Sequence, residues 1–431
     1  MNLPPHLSCR NGHLYISECD TMALGDEFGT PLYVTDEDRI KNRYQEYHQA
    51  LTSRYPHCRI LYATKANGNL AIVRILAQMG AGADVFSSGE LHLAREAGMQ
   101  PQNLLFNGSS KTPDDLRLAV ATGVTISLDS TDELYQLEAV ASEMGQDVEV
   151  SFRVNPAINA PTHPKIATGL ASSKFGIAAD TIVSAYKAAL SCGHLNPVGI
   201  HCHIGSQILA VEPFAREAEV LMQVVSELHK LGVVFKFVDL GGGLGIPYSH
   251  CSEEAPSVDA YAQAVIPPCK EMFAELGISP EIWVEPGRSL VCDSTLLLTR
   301  VNSVKKAHKN FVNVDAGFNL LIRPTMYNAY HEVIVANKVS LPADSTYTIT
   351  GPICETGDIL AHDRTLPKVS AGDIIAILDT GAYGFSMASQ YNCRPRCAEV
   401  LVKGARAELM RRAETLDDIQ NTMVTPSWHQ R

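Results

Sequence analysis

The residues that could do covalent chemistry stand where apolar runs end. Ile60-Leu61-Tyr62-Ala63-Thr64-Lys65-Ala66-Asn67 carries one lysine, and Asn67-Gly68-Asn69 then turns the chain. An unpaired ammonium beside buried apolar surface is costly, so such a lysine is expected to lose its proton. A neutral lysine is a nucleophile, used most often for Schiff-base formation with a carbonyl. The same residue also fits a lysine that snorkels to solvent. In His201-Cys202-His203-Ile204-Gly205-Ser206-Gln207 the two histidines share one face of a strand. That pair fits a metal site, a ring stacking on a flat cofactor while Ser206 donates to an anion, or two structural histidines.

Asp239-Leu240-Gly241-Gly242-Gly243-Leu244-Gly245 puts four glycines in five residues, which frees backbone N–H groups to face an anion. Its spacing is not that of a dinucleotide fingerprint. Glu285-Pro286-Gly287-Arg288 fixes an acid and a base, as a site or as a salt-bridged turn. Gly351-Pro352-Ile353-Cys354-Glu355-Thr356-Gly357-Asp358 sets a thiol beside an acid in a glycine-flanked loop. A lone cysteine is otherwise a small buried hydrophobe. Arg323 with Tyr327 suits carboxylate recognition, or a surface ion pair.

These residues need elements to hold them. From Ile60 onward, short apolar runs alternate with helical patterns. The expected strands are Ile60–Ala63, Ala83–Phe86, Leu104–Asn107, Val124–Leu128, Val148–Val154, Val198–His203, Phe235–Leu240 and Glu281–Val284. Helices are expected between them; Thr112-Pro113 starts one, and Ser130 with Glu133 fits a capping box at another. Eight such units match the period of a (β/α)8 barrel, whose chemistry sits at the C-terminal strand ends. Residues 1–28 are expected to be strands that join a second domain, residues 29–284 the barrel, and residues 285–431 a mostly β domain. Lys65, His203, Ser206, Gly242, Gly243, Glu285, Gly287 and Arg288 all fall at or just after strand ends. A lysine, a stacking ring, a glycine phosphate loop and a carboxylate describe a pyridoxal phosphate site, with Glu285 keeping the pyridine nitrogen protonated.

The chain has 431 residues, 45% apolar and 19% charged, with net charge −12. Nucleic-acid or anionic-membrane binding is not expected of that balance. The 11 scattered cysteines read as thiols of a reducing compartment. With no apolar leader and no membrane-length run, a cytoplasmic protein is expected.

In order along the chain, Tyr62–Asn67, Gly82–Glu90, His201–Gln207, Gly241–Gly245, Glu285–Arg288, Cys354–Asp358 and Gly381–Ala388 resemble the diaminopimelate decarboxylases. Ornithine and arginine decarboxylases share some of these motifs. The resemblance implies a pyridoxal phosphate barrel with a C-terminal β-sandwich or Greek-key-like β domain. It implies a homodimer whose active sites are shared across the interface, and no metal. It implies decarboxylation of meso-2,6-diaminopimelate to L-lysine, the last step of lysine biosynthesis. Lys65 and Cys354 would be catalytic, Cys354 as proton donor. His203, Ser206, Gly242, Gly243, Glu285, Gly287, Arg288 and Tyr383 would hold the cofactor. Arg288, Arg323, Tyr327, Glu355 and Tyr383 would bind substrate. The alternatives are the same chemistry on ornithine, arginine or carboxynorspermidine, a non-catalytic homologue, and a metal hydrolase using His201 and His203.

Overall fold

A computed structural model describes residues 3–250 and 252–429 of the chain. The chain divides into two compact units, one of residues 40–247 and 253–291, the other of residues 1–39, 248–252 and 292–431.

The first unit is the barrel. Its strands are Cys58–Ala63, Gly82–Val85, Leu104–Phe106, Thr125–Leu128, Val148–Asn155, Leu195–Cys202, Phe237–Asp239 and Glu281–Val284. All are parallel, and the eighth closes on the first, with Val284 beside Ile60. The eight expected strands are therefore the eight observed, with ends moved by three residues at most. Their near-continuous apolar character follows from burial on both faces, as in Leu104-Leu105-Phe106. Leu61, Leu105, Val198, Phe237 and Trp283 pack as one cluster, with the Phe237 and Trp283 rings stacked at 3.7 Å. Gly199 makes room for this stack, since a Cβ there would lie 2.2 Å from the Phe237 ring.

Helix starts follow the sequence signals with one exception. Thr112 and Asp115 form a reciprocal capping box with Pro113 in the first turn. Ser130 caps the helix Thr131–Met144, but Glu133 does not complete the box. Its carboxylate instead accepts from Asp129 N at 2.8 Å and from the buried Lys111 ammonium at 2.9 Å. A buried lysine needs a counter-charge more than a helix end needs a second cap.

The second unit is β-rich. Its central strand, Thr295–Lys306, pairs antiparallel with Leu32–Asp36, Ile374–Ile377 and Asn310–Val314. Ala398–Lys403 runs parallel to Leu32–Asp36. The N-terminal strands Leu7–Arg10 and His13–Ile16 form a hairpin whose Leu7, Leu14 and Ile16 enter this unit's core. Residues 29–39 thus lie outside the barrel, where the sequence reading had begun it at residue 29. The fully buried Leu32-Tyr33-Val34 run feeds a sheet of the other unit because partners wait on both of its edges. At the far boundary, residues 285–291 stay with the barrel. The strands Val333–Val335 and Ile359–Leu366 were not expected from sequence. Residues 406–429 give a strand, Arg406–Arg411, and a helical turn, Leu416–Gln420.

Among the described residues, no helix is long and apolar enough to cross a membrane, and the ten described cysteines are free. Cys251 lies outside the described residues.

Candidate active site

At the C-terminal mouth of the barrel one polar network spans several strand ends. Lys65 sits in a 3-10 turn, Thr64–Ala66, directly after the first strand. Its Nζ lies 2.6 Å from Asp84 Oδ2 and 4.2 Å from the centre of the Phe86 ring. The register that pairs Ala63 with Asp84 brings the two strand ends level. Thr64, buried, donates its hydroxyl to Asp84 O at 2.9 Å and fixes the same junction. The sequence reading had placed this lysine against apolar surface with no partner. Asp84 and the Phe86 ring are instead its partners.

Asn107 follows the third strand and donates to two carboxylates at once, Asp84 Oδ1 at 2.7 Å and Glu285 Oε1 at 2.6 Å. Glu285 is buried, with His201 Nε2 3.3 Å from its other oxygen. Burial alone would raise the Glu285 carboxyl, but His201 and Lys65 hold it well below the usual carboxylate range. Burial and the Glu285 charge push Asp239 far up. The network thus sets a carboxyl held low beside one pushed high. His201, Asp239 and Glu285 offer donor atoms within 4.8 Å of one another, a set a divalent cation could use. Glu285, held low between Asn107 and His201, also suits a cationic ring nitrogen.

The glycine loop closes on this network. Gly241 N–H donates to Asp239 Oδ1 at 2.8 Å, and Gly242 N–H donates to His203 Nδ1 at 3.1 Å. A ring nitrogen that accepts cannot carry a proton, so His203 is neutral with its hydrogen on Nε2. Burial and the nearby Arg153 charge act in the same direction and hold its pKa well below the ordinary value. A Cβ on Gly242 would lie 2.0 Å from Glu285 O, and one on Gly243 would lie 2.4 Å from Gly205 O at φ +116°. Only glycine fits this floor. Arg288 is buried and donates to Ser206 Oγ at 2.9 Å. Gly287 leaves 3.1 Å from its would-be Cβ to the Ala63 and Ala66 methyls. An amine with part of its side chain exposed, a glycine floor beside Ser206 and Arg288, and an ionised buried carboxylate fit pyridoxal phosphate.

The β-rich unit carries the remaining candidates. Arg323 and Tyr327 stand one helical turn apart in the short helix Arg323–Tyr327. Arg323 is buried, donates to His331 Nε2 at 2.8 Å and lies over the Tyr248 ring at 4.4 Å. His331 Nδ1 donates to Leu378 O at 2.8 Å, which fixes its tautomer. Among the described residues no carboxylate pairs with Arg323. Its surroundings orient the guanidinium and leave its charge for an anion. Tyr383 is half-buried, in the left-handed region at φ +56°. Cys354 and Glu355 lie exposed on the turn after Thr350. This turn is tied down by Asp358, which accepts from Ile353 N at 2.7 Å and Phe318 N at 2.6 Å.

Sequence reasoning gave no role to Asp84 and Asn107. Each is a polar residue at the mouth end of a short apolar barrel strand, a weak signal until the strand register is known. It also passed over Arg153, a buried cation on the fifth strand that donates to His203 O at 3.3 Å.

Residues 37–292 match the family model of the pyridoxal-dependent decarboxylases' pyridoxal binding domain. The chain is 49% identical over 421 residues to the diaminopimelate decarboxylase of Archaeoglobus fulgidus, covering 98% of this chain and 99% of that one. It is 42% identical over 414 residues to the diaminopimelate decarboxylase of Pseudomonas aeruginosa, covering 96% and 97%. Among solved structures, diaminopimelate decarboxylase from Helicobacter pylori complexed with L-lysine superposes with TM-score 0.87 at 36% identity, covering 93% of this chain and 98% of that one. Diaminopimelate decarboxylase from M. jannaschii in complex with L-lysine gives TM-score 0.93 at 38% identity, covering 98% of each chain.

Proposed function

The chain belongs to the diaminopimelate decarboxylases, a branch of the pyridoxal-dependent decarboxylases, and we propose from this membership and its barrel-mouth network how its residues divide the work. The reaction is decarboxylation of meso-2,6-diaminopimelate to L-lysine and carbon dioxide, with pyridoxal phosphate as cofactor. The single observation that carries the assignment of roles is the continuous path Lys65–Asp84–Asn107–Glu285–His201.

When bound, pyridoxal phosphate supplies an electron sink for the pair left on the α-carbon as carbon dioxide departs. Lys65 is the amine that would hold the cofactor through its aldehyde, and Asp84 keeps that side chain in place. Gly242, Gly243 and Gly287, with Ser206 and Arg288, receive the phosphate. His203, neutral and fixed through Nδ1, would lie along the cofactor ring. Glu285, held ionised, would face the ring nitrogen and keep it protonated. Tyr383 serves both cofactor and substrate. Arg323 and Tyr327, with Arg288, take the carboxylate that is retained, and Glu355 takes the distal ammonium. Cys354 gives its proton to the carbon that has lost carbon dioxide; the S–H bond breaks, the C–H bond forms, and the electron pair remains on sulfur.

The active unit in this reading is a homodimer, in which Cys354 and Glu355 of one protomer complete the site built on Lys65 of the other. The exposure of both side chains on a well-anchored turn supports it. Discrimination comes from charges that the wrong substrate would leave unpaired. Chromatographic detection of L-lysine formed from meso-diaminopimelate tests the assignment. Lysine should form with wild type and not with Lys65→Ala. Equal lysine from both proteins would remove Lys65 from the reaction.

A further inference from the structure

Residues 391–393 form a turn that no assigned role uses. Asn392 and Cys393 there take left-handed backbone angles, φ +57° and +53°. Such geometry is uncommon outside glycine, and asparagine tolerates it best. The turn is braced at both ends by one carboxylate. Glu414 accepts from Gln390 Nε2 at 3.0 Å, from Arg396 N at 2.8 Å and from the Arg396 guanidinium.

What this turn presents is specific. Asn392 Oδ1 accepts from Cys354 N at 3.1 Å, and its Nδ2 donates to Cys354 Sγ at 3.1 Å. The backbone N–H can only donate, so the amide's orientation is settled by the pairing itself. A donor on sulfur occupies a lone pair and leaves the thiol hydrogen to point elsewhere. Tyr391 donates its hydroxyl to Glu355 Oε1 at 2.6 Å. Its ring stacks on Phe318 at 5.7 Å and 18°, and Phe318 N is held by Asp358. The Glu355 carboxylate pushes the Tyr391 hydroxyl up to about 12, so it remains a donor at working pH. Two consecutive side chains therefore fix two consecutive side chains that would otherwise rotate freely on an exposed turn.

We propose that Tyr391 and Asn392 are positioning residues for the decarboxylation, Asn392 aiming the Cys354 thiol and Tyr391 aiming the Glu355 carboxylate. The inference rests on the roles proposed above for Cys354 and Glu355. It assigns the two contacts to different kinetic steps. Tyr391 serves substrate binding, and Asn392 serves proton delivery after carbon dioxide has left.

The test uses the full-length holoenzyme with meso-diaminopimelate as substrate. Tyr391→Phe keeps the ring stack and removes only the donor; KM should rise about tenfold with kcat within twofold. Asn392→Asp keeps the backbone bond and the tolerance of left-handed φ while removing the donor to sulfur. Its kcat should fall about tenfold with KM little changed, and the solvent deuterium isotope effect on kcat should grow. Neither substitution should add a further loss in the matching background, Glu355→Ala for Tyr391→Phe and Cys354→Ala for Asn392→Asp. Wild-type kinetics in both single variants, or full additivity in both backgrounds, overturns the inference while leaving the proposed function standing. Wild-type turnover in Cys354→Ala and Glu355→Ala overturns the roles beneath it, and the inference falls with them.

Discussion

A single carboxylate decides what the barrel mouth can do. Glu285 is ionised in a place where burial opposes ionisation, because His201 and Asn107 hold it and Lys65 lies near. Replacing it with glutamine keeps shape and removes charge. Glu285→Gln should still bind pyridoxal phosphate, seen by absorbance, while kcat falls about 10–100-fold. Unchanged kcat would mean that ring protonation does not depend on this residue. Arg323 makes a similar argument for specificity. It is buried, oriented by His331 and Tyr248, and without a paired acid among the described residues. Arg323→Ala should cost about a thousandfold in kcat/KM for meso-diaminopimelate and leave any slow turnover of ornithine unchanged. Lys65 and Glu285 were legible in the sequence because barrels place chemistry at strand ends. Asp84 and Asn107 were not, because short polar residues after an apolar run look like ordinary turn formers until the register sets them side by side.

At the scale of elements, the eight barrel strands could be read from apolar runs of strand length separated by helical periodicity. The β-rich unit was read only in part. Val333–Val335 is too short to show a period, and Ile359–Leu366 carries His362, Asp363 and Arg364 in mid-strand, which masks its alternation. The chain beyond Arg411 also has work that its pattern did not show, since Glu414 clamps both ends of the 391–393 turn. Burial alone would raise the Glu414 carboxyl, but hydrogen bonds from Arg396 and Gln390 hold it at about 2, below its ordinary 4.5. A carboxyl lowered in the folded state binds fewer protons there than in the unfolded chain. Its stabilisation is therefore present above pH 4.5 and is lost as pH falls towards 2. Glu414→Gln should lower stability by about 1 kcal/mol at pH 7, after allowance for solvent screening, and the difference from wild type should shrink across that window. Denaturant midpoints at several pH values read this directly; a difference that is constant with pH would contradict it.

At the scale of the whole molecule, the proposal requires two copies. The barrel carries Lys65, the glycine floor and Glu285, while Cys354 and Glu355, the proposed proton donor and the proposed acid for the distal ammonium, stand on the β-rich unit. If each site draws Cys354 from the opposite protomer, two inactive variants can rescue one another. Lys65→Ala and Cys354→Ala, refolded together in equal amounts, should recover about a quarter of wild-type activity, because half of the dimers are mixed and each mixed dimer has one intact site. No recovery, with mixed dimers verified by mass, would place both residues in the same protomer's site.

The most direct measurement is carbon dioxide release from purified protein supplied with pyridoxal phosphate, with meso-diaminopimelate and ornithine run side by side against Lys65→Ala. Release from meso-diaminopimelate alone, abolished in the variant, is the result expected. Release from ornithine alone would keep the fold and the chemistry but contradict the roles given to Arg323 and Glu355, and release from neither substrate with cofactor bound would contradict the enzyme assignment itself.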